Sequence, residues 1–276
     1  MSEQDSELEA FAKFVGAIEP WLGEVVLIGG WAHRLYRLHP LARKLDYLPL
    51  TTLDGDVAVP PKLKAQESNV RERLLAAGFK EEFVGEDRPP ATHYHYGKGS
   101  GFYAEFLTPL IGSEYDRSGK RKATTEVGGI SSQLLRYIEL LLISPWKVEL
   151  GKENGYPFSA KRKVQIANPT SFLAQKILIH SERDSRDRAK DLLYIHDTIE
   201  VFSESLEELQ KIFGQDVTPK LHPRRRADLE SAADFLFGKI DDTIREAALM
   251  AVGRKMTAER LAETSRAGLR EIFTRR

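Results

Sequence analysis

The sequence predicts an α+β protein in which a mixed-sheet domain is followed by a mostly helical domain. In the first part of the chain, short apolar runs alternate with helical patterns and are separated by glycine and proline. From Asn168 onward, the apolar residues recur almost entirely at helical spacing. A chain of 276 residues can bury two separate cores. We therefore expect one domain over residues 1–167 and a helical domain over residues 168–276.

Composition excludes several classes of protein. The chain is 41% hydrophobic and 30% charged, which is typical of a soluble globular protein. Lysine plus arginine and aspartate plus glutamate both number 41, so no global field directs the chain to nucleic acid or to a membrane. The absence of cysteine excludes disulfides, thiolate metal sites and a cysteine nucleophile. The acidic N-terminus is unlike a targeting peptide, and no apolar run reaches the roughly 20 residues of a membrane span. We expect a cytoplasmic protein.

The first elements lead to a pair of aspartates. An amphipathic pattern predicts a helix over residues 6–19, which precedes a strand and glycine turn over 24–30. A short helix over about 31–38 stops at Pro40, and residues 40–51 are expected to form an ordered loop or insertion. The following strand contains Asp54 and Asp56.

The middle of the chain alternates between helix and strand patterns. A helix is predicted over about 62–77, with Leu75 among its inward residues and Gly78 as its C-cap. The strands predicted after it are Phe79–Val84, Thr92–Tyr96 and Phe102–Leu107, with a glycine-rich hairpin turn at 97–101 before the last, and then Tyr137–Ile143, Trp146–Leu150 and Lys163–Ile166. The final block is helical, with Pro169 at the first position of its first helix and breaks near Ser185, Ser203, 214–223, Gly238 and Gly253.

Three carboxylates and a glycine pair form the strongest chemical signal. Side chains two residues apart in a strand share a face, so Asp54 and Asp56 can converge on one hard divalent cation. Gly29 and Gly30 follow an apolar run, and glycines there allow backbone N–H groups to approach an anion at a helix N-terminus. Glu105 is one carboxylate in an otherwise apolar strand, where burial is costly unless it is paired or bound to a metal. This combination is suited to phosphoryl or nucleotidyl transfer.

The order of these motifs resembles the nucleotidyltransferase superfamily of the DNA polymerase beta type. The shared pattern is a Gly-Gly turn, a strand with Asp-x-Asp and a third carboxylate on a later strand, over roughly residues 20–110. The resemblance implies that Asp54, Asp56 and Glu105 hold Mg²⁺ or Mn²⁺. It also implies that Gly29 and Gly30 cradle the phosphates of a nucleoside triphosphate (NTP). His33, just after the turn, is expected to line the nucleotide site.

A second resemblance lies in the helical part of the chain. Lys176, Arg183 and Lys190 recur at seven-residue steps, which would bring them near one helical face. Their spacing resembles the helical half of stand-alone bacterial abortive-infection toxin nucleotidyltransferases. It implies contacts to the triphosphate or to an acceptor's backbone, although a solvated helix face explains the pattern equally well. Asp191 is expected to pair with Arg183 or Lys190.

The resemblance implies transfer of a nucleoside monophosphate (NMP) to a hydroxyl of RNA, tRNA in particular, or of a protein. It suggests a toxin controlled by an antitoxin protein, or an antibiotic-modifying enzyme. The rivals are a catalytically silent nucleotide-binding scaffold, favoured by Gly55 between the aspartates and by the long spacing before Asp54, and an RNA-binding adaptor built on residues 168–276.

Other polar groups have a simpler explanation. Three basic clusters are expected to be mainly solvated surface unless two of them share one side of a cleft: Lys120-Arg121-Lys122, Lys161-Arg162-Lys163 and Arg224-Arg225-Arg226. His93 and His95 share a strand face and could bind a transition metal only with a third ligand.

Overall fold

A computed structural model of the chain describes residues 3–85, 90–97, 101–115, 117, 119 and 121–274. It contains two compact units. The first comprises Met1–Leu38 and Leu50–Ala167, and the second comprises His39–Pro49 and Asn168–Arg276. Residues 39–49, which lengthen the spacing before Asp54, therefore belong to the second unit.

The first unit is built on a nine-stranded mixed sheet. Its strands are β1 Val26–Leu27, β2 Asp54–Ala58, β3 Phe79–Val84, β4 Ala91–Tyr96, β5 Tyr103–Pro109, β6 Thr124–Val127, β7 Ile130–Leu135, β8 Trp146–Leu150 and β9 Arg162–Ile166. The main path is β3-β4-β5-β2-β1-β9-β8, with β7 pairing β5 and β6 pairing β7. The mixed sheet and the helical second part confirm the predicted α+β class.

Among the described residues of this unit, four helices accompany the sheet: α1 Glu3–Ala17, α2 Gly29–Leu35, α3 Val70–Ala76 and α4 Ile138–Leu141. Phe11 of α1 stacks on Trp31 of α2 with ring centroids 3.6 Å apart. Phe14 lies within 6.2 Å of both Phe79 and Phe102, measured between ring centroids. These contacts form an aromatic core that fixes α1 and α2 against the strands.

Two predicted elements of the first unit were wrong. The helix predicted from residue 62 begins at Val70, where Asn69 forms a capping box with Glu72, and Leu75 is 37% exposed. The stretch 137–143 contains helix α4, because Tyr137 adopts a left-handed conformation (φ 65°) that ends the extended chain before Ile138. A short apolar run does not distinguish a strand from a helix. Strands β6 and β7 were not predicted, and part of the predicted turn at 97–101 lies outside the described residues.

The second unit is helical. Its helices are α5 Pro169–Ile179, α6 Ser185–Val201, α7 Leu206–Ile212, α8 Pro223–Phe237, α9 Asp242–Met250 and α10 Ala258–Phe273. Asn168 caps α5 by accepting a hydrogen bond from the Ser171 backbone, and Pro169 occupies the first turn as predicted. The segment 39–49 is tied to this unit by hydrogen bonds from the Arg43 backbone N–H to Val201 O (2.7 Å) and from the Tyr47 hydroxyl to Glu200 (2.6 Å).

No helix within the described ranges is long and apolar enough to cross a membrane.

Gly55 is required by packing on the apolar side of β2. A Cβ atom at this position would lie 2.8 Å from Phe102 Cζ, and the Phe102 ring is completely buried in the aromatic core. We predict that Gly55→Ala lowers the free energy of unfolding by about 1–3 kcal/mol through overpacking. Gly16→Ala, in α1 with open space around it, is the matched control and should raise the same quantity by about 0.5–1 kcal/mol. Urea unfolding of both variants measures the difference, and a neutral Gly55→Ala would contradict this packing.

Candidate active site

The register between β2 and β5 brings the predicted carboxylates onto neighbouring strands. The two strands are parallel, with Asp54 opposite Tyr103 and Asp56 opposite Glu105. Opposed residues in a ladder project to the same side of the sheet, and so do residues two apart in one strand. Asp54, Asp56 and Glu105 therefore share one face.

Two further strands extend this polar face. On β4, His95 lies opposite Tyr103, so His93 lies on the same side near Glu105. On β3, Glu82 lies opposite His93. The other side of β2 and β5 is apolar, with Val57, Ala104 and Phe106 buried. The aromatic core thus covers one side of the sheet. The other side carries these polar residues and, further along the same strands, a second apolar cluster that includes Ala58 and Leu107.

Gly29 lies directly against Asp56. Its backbone has φ +59°, and a Cβ atom there would lie 2.0 Å from Asp56 Oδ2. The Ile28 backbone N–H donates to the Asp56 carbonyl oxygen at 3.0 Å, which locks the glycine turn to β2. The glycine turn and a carboxylate of the aspartate strand are therefore in contact.

Thr52 contacts both the aspartate strand and the glycine turn, and no sequence motif singles it out. Its buried hydroxyl donates a hydrogen bond to Asp54 Oδ1. A Cβ atom on Gly30 would lie 2.4 Å from Thr52 Oγ1, so only glycine fits there without displacing Thr52.

Glu105 accepts two contacts through one oxygen. Gln133 Nε2 on β7 donates to Glu105 Oε2 at 3.0 Å, and His93 Nε2 lies 3.3 Å from the same oxygen. The hydrogen bond to Glu105 raises the pKa of His93 above its usual value, against an opposing effect of burial. Gln133 lies on a strand that the sequence did not predict, so its role could not be anticipated.

Tyr103 joins the carboxylates to His93. Its ring stacks on His93 with centroids 4.7 Å apart. Burial, together with the negative charges of Asp54, Glu105 and Asp56, raises the pKa of Tyr103 well above 10, so the phenol stays protonated at neutral pH. No sequence motif singles out Tyr103, although its position two residues before Glu105 places it on the same strand face.

The two histidines of β4 face different carboxylates. His93 contacts Glu105, whereas His95 Nε2 lies 2.7 Å from Glu82 Oε2. Each imidazole therefore has an acidic partner of its own, and this arrangement does not support a shared transition-metal site.

Within the described ranges, one group of three His, Asp or Glu residues has all its ligand atoms within 4.8 Å of one another: His196, Asp197 and Glu200 of α6. Asp54, Asp56 and Glu105 are not so close together.

The cluster on α6 contains metal-binding residue types, but arginines already neutralise its acids. Arg254 binds both oxygens of Asp197, at 2.6 and 2.7 Å. Glu200 accepts hydrogen bonds from Tyr47 at 2.6 Å and from Arg260 at 2.9 Å. A cation here would have to displace buried or half-buried ion pairs. The cluster is better explained as the network that holds segment 39–49 and the start of α10 to α6.

The cationic residues predicted from seven-residue spacing do not lie on one helix. Lys176 is on α5, Arg183 lies between α5 and α6, and Lys190 is on α6. Lys176 is buried and its Nζ lies 2.6 Å from Asp191 Oδ1, while Arg183 Nε lies 3.5 Å from Asp191 Oδ2. Asp191 thus pairs with Arg183, as one of the two expected partners, and with Lys176. Lys190 Nζ lies 5.7 Å from the centre of the Tyr194 ring.

His33 is completely buried in α2, with its ring centroid 6.1 Å from that of Tyr36. Its assignment to the nucleotide site stays a prediction, since packing alone explains this position.

Several residues of the basic clusters form ion pairs within their own unit, as expected of a solvated surface. The pairs are Arg121–Glu114, Lys161–Glu153, Arg162–Glu19, Arg225–Asp228 and Arg226–Glu230. Lys120 lies outside the described residues.

Comparison with known proteins defines the class to which this fold and polar face belong. Residues 6–215, well over half of the chain, match a family model described as nucleotidyltransferase. The chain therefore belongs to this nucleotidyltransferase family, and it is an enzyme of nucleotidyl group transfer. No curated protein and no solved structure matches the sequence.

Arg254 provides a test of the network on α6. Removing its side chain leaves the fully buried Asp197 carboxylate without its bidentate partner. We predict that Arg254→Ala lowers the free energy of unfolding by about 3–5 kcal/mol, because a buried charge is left uncompensated. Arg245→Ala removes an exposed pair with Asp242 and should cost about 0–1 kcal/mol. Denaturant unfolding compares the two, and equal losses would contradict a structural role for this network.

Proposed function

We propose that the chain is a divalent-cation-dependent nucleotidyltransferase whose active site is the polar face of the first unit. It would transfer an NMP from an NTP to a hydroxyl and release pyrophosphate. The observation that supports this most strongly is the placement of Asp54 and Asp56 in register with Tyr103 and Glu105, with Gly29 in contact with Asp56. Family membership supplies the reaction class.

The residues present suit Mg²⁺ or Mn²⁺. Three half-buried carboxylates offer the hard oxygen ligands that these ions prefer. In the proposal, Asp54 and Asp56 hold both ions, and Glu105 completes the site of the ion nearer the acceptor hydroxyl. When bound, the ions would activate the acceptor hydroxyl and neutralise charge on the transferred phosphoryl group. The chain's own part is to fix the carboxylates: Thr52 donates to Asp54, and Gln133 donates to Glu105.

The glycine turn is the proposed phosphate cradle. Neither Gly29 nor Gly30 could carry a Cβ atom without colliding with Asp56 or Thr52. Backbone N–H groups at such a turn can approach the triphosphate more closely than a side chain would allow. The cradle would therefore lie beside the aspartates that hold the cations.

The helical unit is proposed to supply cationic contacts. Arg183 and Lys190 are partly exposed and are the proposed contacts for a triphosphate or an acceptor, and Arg183 is also paired with Asp187 and Asp191. Lys176 is buried against Asp191, so it is better suited to holding Asp191 and Arg183 in place than to contacting a phosphate itself.

For the acceptor, we propose an RNA or protein hydroxyl. The support is a resemblance in sequence: the spacing of Lys176, Arg183 and Lys190 is similar to that in abortive-infection toxins. The three residues lie on different elements, so one shared helical face is not part of this support. On the same resemblance, we propose that the protein acts as a toxin whose activity an antitoxin protein controls.

The two sequence features that favour a catalytically silent scaffold each have another explanation. Gly55 is explained by the Phe102 ring that occupies the space of its side chain. The long spacing before Asp54 is explained by segment 39–49, which belongs to the second unit.

A label-transfer assay tests the reaction. Full-length protein, Mg²⁺ or Mn²⁺ and each α-labelled NTP are incubated with total cellular RNA and, separately, with lysate proteins. Label on RNA or protein that is lost in Asp54→Ala/Asp56→Ala establishes transfer and identifies the acceptor class. A folded protein that labels nothing would favour the scaffold.

Substitution of Asp56 is expected to affect catalysis without lowering stability. We predict that Asp56→Ala abolishes transfer, because it removes a ligand shared by both cations. Its melting temperature without metal should stay equal or rise, because one of the mutually repelling carboxylates is gone. Glu126→Ala, an exposed acid on β6, is the matched control and should retain activity. Full activity in Asp56→Ala would refute the assigned site.

A further inference from the structure

The contacts of Glu105 are distributed unevenly over its two carboxylate oxygens. Both Gln133 Nε2 and His93 Nε2 approach Oε2, at 3.0 and 3.3 Å. The other oxygen, Oε1, makes no hydrogen bond to the residues that the structure describes. The two donors come from strands that pair along the same edge of β5, since β4 pairs with its first residues and β7 with its last, while β2 occupies the opposite edge.

We propose that His93 and Gln133 are positioning residues that hold Glu105 by Oε2 and leave Oε1 for a divalent cation. This inference rests on the proposed function and extends it to residues that do not touch the substrate. A carboxylate ligand held by outer hydrogen bonds keeps one orientation, and such partners commonly strengthen metal binding. With one oxygen already held, Glu105 would bind the cation through a single oxygen.

His93 is suited to this task because its own position is fixed. Its ring stacks on Tyr103, the residue two before Glu105 on the same strand. The imidazole therefore contacts two residues of β5: the ring of Tyr103 and the carboxylate of Glu105. Gln133 is fixed by the pairing of β7 with β5, where it lies opposite Leu107.

A different role for His93 would be packing alone, through the stack on Tyr103. Two substitutions separate the alternatives. His93→Phe keeps an aromatic ring for the stack but removes the N–H donor. His93→Gln keeps an N–H donor near the position of Nε2 but removes the ring. His95→Phe is the matched control, because His95 lies on the same strand face but contacts Glu82 instead of Glu105.

The experiment measures Mn²⁺ affinity of the full-length protein by titration calorimetry, without nucleotide, alongside the label-transfer assay. We expect His93→Phe and Gln133→Leu each to weaken Mn²⁺ binding about 10- to 100-fold, the usual cost of losing an outer-shell partner. We expect His93→Gln and His95→Phe to bind Mn²⁺ close to the wild-type affinity.

Two results would overturn the inference while leaving the proposed function intact. One is wild-type Mn²⁺ affinity in both His93→Phe and Gln133→Leu. The other is a loss in His93→Gln equal to that in His93→Phe, which would assign His93 to packing. If His93→Phe fails to fold, the Mn²⁺ affinity of Gln133→Leu tests the inference by itself. Wild-type affinity in that variant would overturn the inference. Wild-type protein that binds Mn²⁺ no better than Asp54→Ala/Asp56→Ala would refute the proposed function itself.

Discussion

The parallel pairing of β2 with β5 determines most of what the first unit can do. A shift of this register by one residue would turn Asp54 and Asp56 away from the face that carries Glu105, because side chains alternate along a strand. The observed register places Asp56 opposite Glu105 and also places Val57 and Phe106 together on the apolar side. The burial of the apolar side therefore fixes the arrangement of the polar side.

The aromatic core enforces this register from the opposite side of the sheet. Phe102 precedes β5 and fills the space above Gly55, so a side chain at 55 would collide with its ring. Phe14 and Trp31 contact the same ring, which connects α1 and α2 to the strands. Stability and the proposed chemistry thus depend on the same packing, but through opposite faces of the sheet.

The sequence allowed the main features of this site to be predicted. The aspartate pair, the glycine turn and the lone carboxylate of β5 each follow from local rules on strand alternation and glycine conformation. The supporting residue Gln133 did not follow, because its contact with Glu105 joins positions distant in sequence. Gln133 reaches Glu105 from an unpredicted strand. Thr52 lies only two residues before Asp54, but no sequence motif singled it out. The Asp191 pairs were partly anticipated, yet the partner Lys176 required the tertiary fold.

The α6 cluster and the β2–β5 face offer two different acidic groups in one chain. The arginines on Asp197 and Glu200 neutralise the first, whereas in the second Thr52 donates to Asp54 and Gln133 donates to Glu105. Anomalous scattering from crystals grown with Mn²⁺ and a non-hydrolysable NTP analogue distinguishes them most directly. We expect anomalous density in contact with Asp54 and Asp56. Density only at His196, Asp197 and Glu200, or none at the aspartate strand, would contradict the assignment of the active site.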